Sequence, residues 1–229
     1  MKNKSKESAM LKRHHTLSLH WLFYDHTRWL FAPIAALMFR TKKTYVDKKA
    51  TLKEIKNGAM VISNHISYYD ALIYQYAFMS RRIHTMLLQT AFNKKIGAWF
   101  FKEVNCFPVD PDKLSFDTIR HCVTRLQYGY VVLTFPEGHI NFEKNPQVKG
   151  FRSGSIFLAV QANRPIIPCF LYRQKGFFHR FHLYIGKPFY PRDYFEGSPT
   201  VGKLQKVTDR LFEIESKMQS EYLEKVKAK

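Results

Sequence analysis

A histidine and an aspartate five positions apart are the residues of this chain best suited to chemistry. His65 and Asp70 lie in the stretch Asn-His-Ile-Ser-Tyr-Tyr-Asp. An imidazole can accept a proton near neutral pH, and a carboxylate on its other ring nitrogen fixes the tautomer and stabilises the imidazolium. If a turn folds Asp70 back onto His65, the pair can act as a general base towards a hydroxyl group, typically worth about 10²- to 10⁴-fold in rate. By spacing alone, a loop histidine followed by a helix-start aspartate is the alternative.

Short apolar runs would place these residues at the end of a strand. Residues 59–63 predict a buried strand and residues 70–80 a buried helix, so His65 follows the strand and Asp70 begins the helix, where a side chain can accept from free amides. A second apolar run, residues 130–135, predicts another strand that leads directly into a Pro-Glu-Gly turn. Open α/β sheets bind ligands at the carboxyl ends of strands. Both polar segments are therefore expected to face one crevice.

The alternation of predicted elements indicates the fold class. It favours an α/β fold in which a mostly parallel or mixed sheet is flanked by helices. The predicted strands lie near residues 59–63, 83–88, 104–109, 130–135, 165–171 and 181–186, and the helices between them near 70–80, 91–101, 113–128 and 152–162.

The two polar segments resemble two sequence blocks of the glycerolipid acyltransferase family. The family's first block, Asn-His followed by four residues and Asp, is matched at residues 64–70, and its third, Phe-Pro-Glu-Gly, at residues 135–138. Weaker matches to the other two blocks lie in the family's order at 97–110 and 165–168. The resemblance implies transfer of a fatty acyl group from acyl-CoA or acyl carrier protein to the hydroxyl of a lysophospholipid, with 1-acyl-glycerol-3-phosphate as the first expectation.

The resemblance also implies roles for individual residues. His65 would be the general base and Asp70 its orienting partner. Asn64, Glu137 and Gly138 would contribute to substrate binding, and a solvated turn is the alternative for Glu137. No metal and no cofactor beyond the acyl donor is implied.

Two arginines that family members use for the acceptor phosphate are absent from the chain. Pro111 and Ile140 stand at the corresponding positions. Arg152, in a stretch similar to the family's Phe-Lys-x-Gly, is the candidate replacement cation, because a guanidinium can bind a phosphate bidentately; a solvated helix-start residue is the alternative. The acceptor could therefore be a different lysolipid or a hydroxylated lipid. Hydrolysis of a lipid or a thioester, in which water replaces the acceptor, is the alternative reaction.

The charge of the chain predicts an anionic partner. Lysine and arginine number 37 against 18 acidic residues, a formal charge of +19. An anionic leaflet attracts nearby basic residues by about 1 kcal/mol each, and nucleic acid attracts them as well. Most aromatic residues fall in apolar runs rather than among basic residues, which argues against a nucleic-acid-binding module. A membrane surface is therefore the predicted partner, and nucleic acid is not.

Two apolar segments near the N-terminus, residues 17–24 and 29–39, favour the same conclusion. Each is shorter than the about 20 residues of a spanning helix, so they are predicted to lie in the interface as one or two helices, with Trp21, Tyr24 and Trp29 at headgroup depth. A pair of core-packing helices is the alternative. The predicted location is the cytoplasmic face of the cell membrane, as a peripheral or monotopic protein. Arg40, Lys42 and Lys43 are expected on lipid phosphates, and the first apolar segment is preceded by the basic residues Lys2, Lys4, Lys6, Lys12 and Arg13.

Three parts are predicted along the chain. Residues 1–50 form basic and apolar membrane-associating helices, residues 51–195 the α/β acyltransferase domain, and residues 196–229 an amphipathic helix with apolar residues three or four positions apart. The three cysteines are widely separated, which suits a reducing compartment and provides no paired-thiolate zinc spacing.

Overall fold

A seven-stranded mixed sheet forms the centre of the molecule. The computed structural model describes residues 19–110, 112–143, 150–174, 180–195, 197 and 199–227. The strands are β1 (Lys42–Tyr45), β2 (Met60–Ser63), β3 (Ile83–Leu88), β4 (Cys106–Val109), β5 (Val131–Thr134), β6 (Ile166–Gln174) and β7 (Arg180–Ile185). Their order is β1-β7-β6-β2-β5-β3-β4, and every neighbouring pair is parallel except β6 and β7. The predicted α/β class with a mixed sheet is confirmed.

Helices cover both faces of the sheet. They are α1 (Leu19–Phe39), α2 (Lys48–Asn57), α3 (Asp70–Ala77), α4 (Lys95–Glu103), α5 (Phe116–Gln127), α6 (Gly154–Ala162) and α7 (Val201–Lys227), with short 3₁₀ helices at Gln89–Phe92 and Pro191–Tyr194. One apolar layer packs α1 and α3 against the sheet, and a second packs α5, α6 and α7 against the opposite face. Because β2 is buried on both faces, its sequence is a continuous apolar run rather than an alternating one.

Two elements, β1 and α2, are not predicted by the sequence. β1 is the exposed edge strand Lys-Lys-Thr-Tyr, and charged edge strands lack the apolar run by which buried strands are recognised. α2 buries only Thr51 and Ile55. After α2, Gly58 adopts a φ of 98°, and a Cβ there would lie 2.7 Å from the Cα of Gly129, so the close approach of two backbones requires glycine. β1 belongs to the sheet although it lies inside the segment 1–50.

From Leu19 onward, the two predicted apolar segments lie in one helix, α1, which docks onto the domain. The prediction that Trp21 and Tyr24 lie at headgroup depth is wrong, because both are buried against the domain. The Trp21 ring stacks on Tyr130 with centroids 5.7 Å apart, and the Arg82 guanidinium lies 4.2 Å from its centre. Trp29, on the outward face, is 74% exposed. The inward face of α1 therefore belongs to the protein core, and only the outward face is available to a membrane.

The basic residues predicted near lipid phosphates have different outcomes. The Lys43 ammonium donates to the carbonyl of Ala77 at 2.8 Å, which satisfies the C-terminal end of α3. Arg40 and Lys42 are exposed. The lysines and the arginine before residue 14 lie outside the described residues. None of the helices in the described part of the chain combines the length and the hydrophobicity that crossing a bilayer requires.

Candidate active site

The imidazole of His65 and the carboxylate of Asp70 are in direct contact. The distance from His65 Nδ1 to Asp70 Oδ2 is 2.7 Å. Chain geometry explains the contact: β2 ends just before His65, and the turn that follows starts α3 at Asp70, whose side chain folds back over the turn. Because Nδ1 faces an acceptor, the neutral ring carries its proton there and its lone pair on Nε2. This arrangement is the Asp–His half of a hydrolase triad.

Backbone and hydroxyl donors hold the Asp70 carboxylate in place. Oδ2 accepts from the amides of Ile66 at 2.7 Å and Ser67 at 2.9 Å, and Oδ1 accepts from the Ser67 hydroxyl at 2.6 Å. Asp70 therefore accepts from amides of the turn that precedes α3 and not from the first amides of the helix. The Asp70 side chain is fully buried, whereas that of His65 is 19% exposed. Burial and these donors hold the side chain in one position, and so keep the imidazole in one orientation.

The Phe-Pro-Glu-Gly block supports the imidazole from its other side. The ring of Phe135 stacks on that of His65 with centroids 4.1 Å apart and planes 12° apart. The amide of Asn141 donates to the His65 carbonyl at 2.7 Å. Neither Phe135 nor Asn141 is identified as a site residue by the sequence, because the two segments are far apart in the chain. The structure thus joins the first and third blocks at the carboxyl ends of β2 and β5.

The Pro-Glu-Gly turn brings Arg152 to the site. Gly138 has a φ of 75°, and a Cβ there would lie 3.1 Å from Arg152 Nε. The amide of Arg152 donates to the Pro136 carbonyl at 3.1 Å, and its guanidinium forms an ion pair with Asp112. Arg152 therefore lies beside the glycine at the start of α6, with a side chain that is 46% exposed and paired with Asp112. Glu137 is 3% exposed, so its carboxyl group points into the protein, and the solvated-turn alternative is excluded.

A cavity of about 520 Å³ lies in front of these groups. His65, Gly138 and Arg152 line one part of it together with the mostly buried residues Thr134 and Ser155. The remaining wall is largely apolar and comes from β3, α4, β4 and α6. Its apolar side chains include Met86, Leu88, Ala91, Phe101, Val109, Leu114 and Leu158. The cavity therefore combines a polar region beside the imidazole with a largely apolar wall.

Asn64 does not line this cavity. Its amide nitrogen donates to the carbonyl of Leu171 at 2.9 Å, and its oxygen accepts from the amide of Leu171 at 2.8 Å and from the Ser63 hydroxyl at 3.1 Å. Ser63 in turn accepts from the Tyr74 hydroxyl at 2.6 Å. Burial raises the pKa of Tyr74 well above 10.0, so this phenol remains a donor. The geometry gives Asn64 a structural role, joining β2 to β6, instead of the predicted contact with substrate, because both amide atoms are occupied.

Metal ligands do not converge near the site. Within the described ranges, no three histidine, cysteine, aspartate or glutamate side chains come together in a geometry that could hold a metal ion.

Comparison with known proteins identifies the family of the chain. The sequence profile of the acyltransferase family matches residues 18–172. The chain belongs to the acyltransferase family. It is 26% identical to a 1-acyl-sn-glycerol-3-phosphate acyltransferase of Bacillus subtilis, over 71% of this chain and 83% of the relative. Its fold resembles the crystal structure of PlsC, the 1-acyl-sn-glycerophosphate (LPA) acyltransferase of Thermotoga maritima, with a TM-score of 0.61 and 17% identity over 86% of this chain and 79% of that one.

These findings confirm the predicted resemblance to glycerolipid acyltransferases. They also support the prediction that this acyltransferase is an O-acyltransferase acting in lipid biosynthesis. The match to the family spans the His65 and Glu137 blocks and ends before α7.

Proposed function

We propose that this acyltransferase transfers a fatty acyl group from a thioester of coenzyme A or acyl carrier protein to the free hydroxyl of a lysophospholipid. The observation that carries the proposal is the His65–Asp70 pair, held at 2.7 Å, at the edge of a cavity whose remaining wall is mostly apolar. A hydroxyl acceptor and a long acyl chain are the two groups that such a cavity can bring together.

The reaction follows from the tautomer of His65. Nε2 accepts the proton of the acceptor hydroxyl while its oxygen attacks the thioester carbonyl, which gives a tetrahedral intermediate. The carbon–sulfur bond then breaks, and the imidazolium returns the proton to the departing thiolate. Asp70 stabilises the imidazolium between these two steps. The acceptor hydroxyl takes the position that a serine holds in a hydrolase, and the acyl chain lies along the apolar wall.

The acceptor headgroup is proposed to bind beside Arg152. Its guanidinium lies next to Gly138 at the cavity wall and can contact a phosphate bidentately. α6 begins two residues later, and Ser153 makes no side-chain cap bond, so the first amides of the helix are available to an anion. Ser155, 8% exposed, lines the cavity at the same helix start. These groups suit the phosphate monoester of 1-acyl-glycerol-3-phosphate, which is the acceptor we propose.

The outward face of α1 is proposed to lie on a membrane. It exposes a set of large apolar side chains: Leu22, Phe23, Trp29, Leu30, Phe31, Ile34, Leu37 and Met38. The centroids of the Phe23 and Trp99 rings lie 6.1 Å apart, so the apolar face continues onto α4. Phe101 of the same helix lines the cavity. Exposed Lys94 and Lys95 flank it and suit anionic headgroups. We therefore propose a peripheral or monotopic enzyme on the cytoplasmic face, which takes its acceptor from the bilayer.

His65→Ala tests the general base. The purified variant and the wild type are given a panel of lysolipids with each thioester donor, and labelled products are identified by mass. We expect the variant to lose about 10²- to 10⁴-fold in transfer rate. His26→Ala, which alters an exposed histidine of α1, is the matched control and should keep the wild-type rate. A folded His65→Ala protein with wild-type activity contradicts the assignment, and free fatty acid as the only product indicates hydrolysis.

Arg152→Ala tests the acceptor site. We expect the acceptor KM to rise about 10- to 100-fold, because the variant loses the free energy of a hydrogen bond to a charged group. The donor KM should change little. Asp112→Asn removes the competing carboxylate and should lower the acceptor KM. An equal rise of the acceptor KM and the donor KM in Arg152→Ala would contradict a contact with the acceptor headgroup.

A further inference from the structure

The wall of the cavity contains a threonine hydroxyl that has no hydrogen-bond partner. Thr134, the last residue of β5, is 6% exposed and lines the cavity. In the part of the chain that the structure describes, its hydroxyl forms no hydrogen bond. A buried polar group in this condition costs free energy, and natural proteins keep few of them. A ligand in the cavity can supply the missing partner, and the reaction as derived above gives Thr134 no part.

The end of β5 joins the two parts of the cavity. Side chains alternate between the two faces of a strand, so Thr134 shares a face with Val132, which packs in the layer of α5 and α6. Leu158 of α6 contributes to the apolar wall on this side. The next residue, Phe135, stacks its ring on that of His65 with centroids 4.1 Å apart. Thr134 therefore lies where the polar region beside the imidazole meets the apolar wall.

The carbonyl group of the donor thioester has to occupy the same junction. In the proposed reaction the acyl chain lies along the apolar wall and the attacking oxygen is held at His65, and the carbonyl carbon bonds to both. As the oxygen attacks, the electron pair of the carbonyl π bond moves onto the carbonyl oxygen, which becomes an oxyanion. When the carbon–sulfur bond breaks, the carbonyl re-forms. A hydroxyl that is already in place can donate a hydrogen bond to this oxygen throughout, without giving up its proton.

We propose that Thr134 is a catalytic residue whose hydroxyl donates a hydrogen bond to the carbonyl oxygen of the thioester and stabilises the oxyanion of the tetrahedral intermediate. The proposal rests on the proposed function, since it assigns one more residue to the same acyl transfer. Ser155 also lines the cavity, but it lies at the start of α6 close to Arg152, where the acceptor headgroup is proposed to bind. Thr134 is therefore the hydroxyl suited to the carbonyl.

Thr134→Val tests the role in catalysis, because it removes the hydroxyl and keeps nearly the same shape. We expect kcat to fall about 10²- to 10³-fold, the usual cost of removing one oxyanion donor. The KM of either substrate should change little, because the oxyanion forms only after binding. The thermal midpoint should not fall, because the hydroxyl has no intramolecular hydrogen bond to lose.

Two further variants separate the donor from packing. Thr134→Ser keeps a hydroxyl and should recover most of the lost kcat. Thr85→Val is the matched control, because it makes the same chemical change in β3 at a hydroxyl that is also buried without a partner among the described residues but does not line the cavity. Its kcat should equal that of the wild type.

Infrared spectroscopy tests the hydrogen bond without any turnover. A long-chain acyl-CoA with an isotopically labelled thioester carbonyl is bound to the His65→Ala protein, which cannot transfer it, and to the same protein carrying Thr134→Val as well. Because a hydrogen bond weakens the carbonyl double bond, the stretching frequency should be lower in the protein that keeps Thr134.

The outcomes distinguish this proposal from the proposed function. A Thr134→Val protein with wild-type kcat, or a folded Thr134→Ser protein as slow as Thr134→Val, would overturn the catalytic role. A raised acceptor KM at unchanged kcat would do the same, since it would indicate a contact with the acceptor. Equal carbonyl frequencies with and without Thr134 would rule out the hydrogen bond. A wild type without transferase activity would instead contradict the proposed function, and the spectra would still decide whether Thr134 bonds to the thioester.

Discussion

Replacing Asp70 by asparagine removes one negative charge from the site while its hydrogen bonds can be kept. The amide oxygen can take the Oδ2 position, where it accepts from His65 and from the amides of Ile66 and Ser67. The amide nitrogen then replaces Oδ1 and donates to the Ser67 hydroxyl, which can accept as well as donate. The substitution therefore isolates the charge of Asp70 from its geometry.

The expected loss follows from the attraction between the imidazolium and the carboxylate. Two unit charges about 4 Å apart attract by about 4 kcal/mol at an effective dielectric constant of about 20. Because the proton is only partly transferred in the transition state, we expect roughly 2–4 kcal/mol of stabilisation to be lost. With about 1.36 kcal/mol for each tenfold change, kcat/KM should fall roughly 30- to 900-fold.

The assay follows thiol release from an acyl-CoA in detergent, with lysophosphatidic acid as acceptor, near neutral pH. Ser67→Ala is the matched control, because it removes a donor from Oδ1, the oxygen that does not contact His65. Its loss should be smaller than that of Asp70→Asn. Wild-type kcat/KM in Asp70→Asn would refute charge stabilisation of the imidazolium, and a larger loss in Ser67→Ala would show that the turn matters more than the charge.

Three further substitutions test the surroundings of the site. Asn64→Leu leaves two backbone groups of β6 without partners and should lower the free energy of unfolding by about 2–4 kcal/mol in urea titrations, whereas the exposed Asn93→Leu should have no effect. Gly138→Ala forces a side chain into a left-handed backbone and against the neighbouring guanidinium, so the acceptor KM should rise; Gly202→Ala, with open space around it, is its control. Leu37→Asp, on the outward face of α1, should weaken sedimentation with anionic vesicles at least tenfold while the rate on detergent-dispersed substrate is kept. Wild-type stability of Asn64→Leu, a wild-type acceptor KM of Gly138→Ala, or wild-type vesicle binding of Leu37→Asp would contradict the corresponding prediction.

The interior strands and the contact between His65 and Asp70 are evident in the sequence because the physical signals that define them are local. β2 and β5 are buried on both faces, so each forms an uninterrupted apolar run. His65 and Asp70 are close enough in the chain for one turn to join them. By contrast, β1 gains its place by pairing with β7 at an exposed edge, and nothing in its own four residues indicates that pairing.

The partners of buried polar and aromatic side chains were decided by the tertiary structure alone. Asn64 bonds to a residue 107 positions away, and Trp21 and Tyr24 pack against the domain although their segment resembles an interfacial helix. Glu215 occupies the buried face of α7, where the spacing predicts only a packed amphipathic helix. An apolar or polar pattern shows which side of an element is buried, but not which distant group it meets. That pairing depends on how the strands are ordered in the sheet and on which helix covers each face.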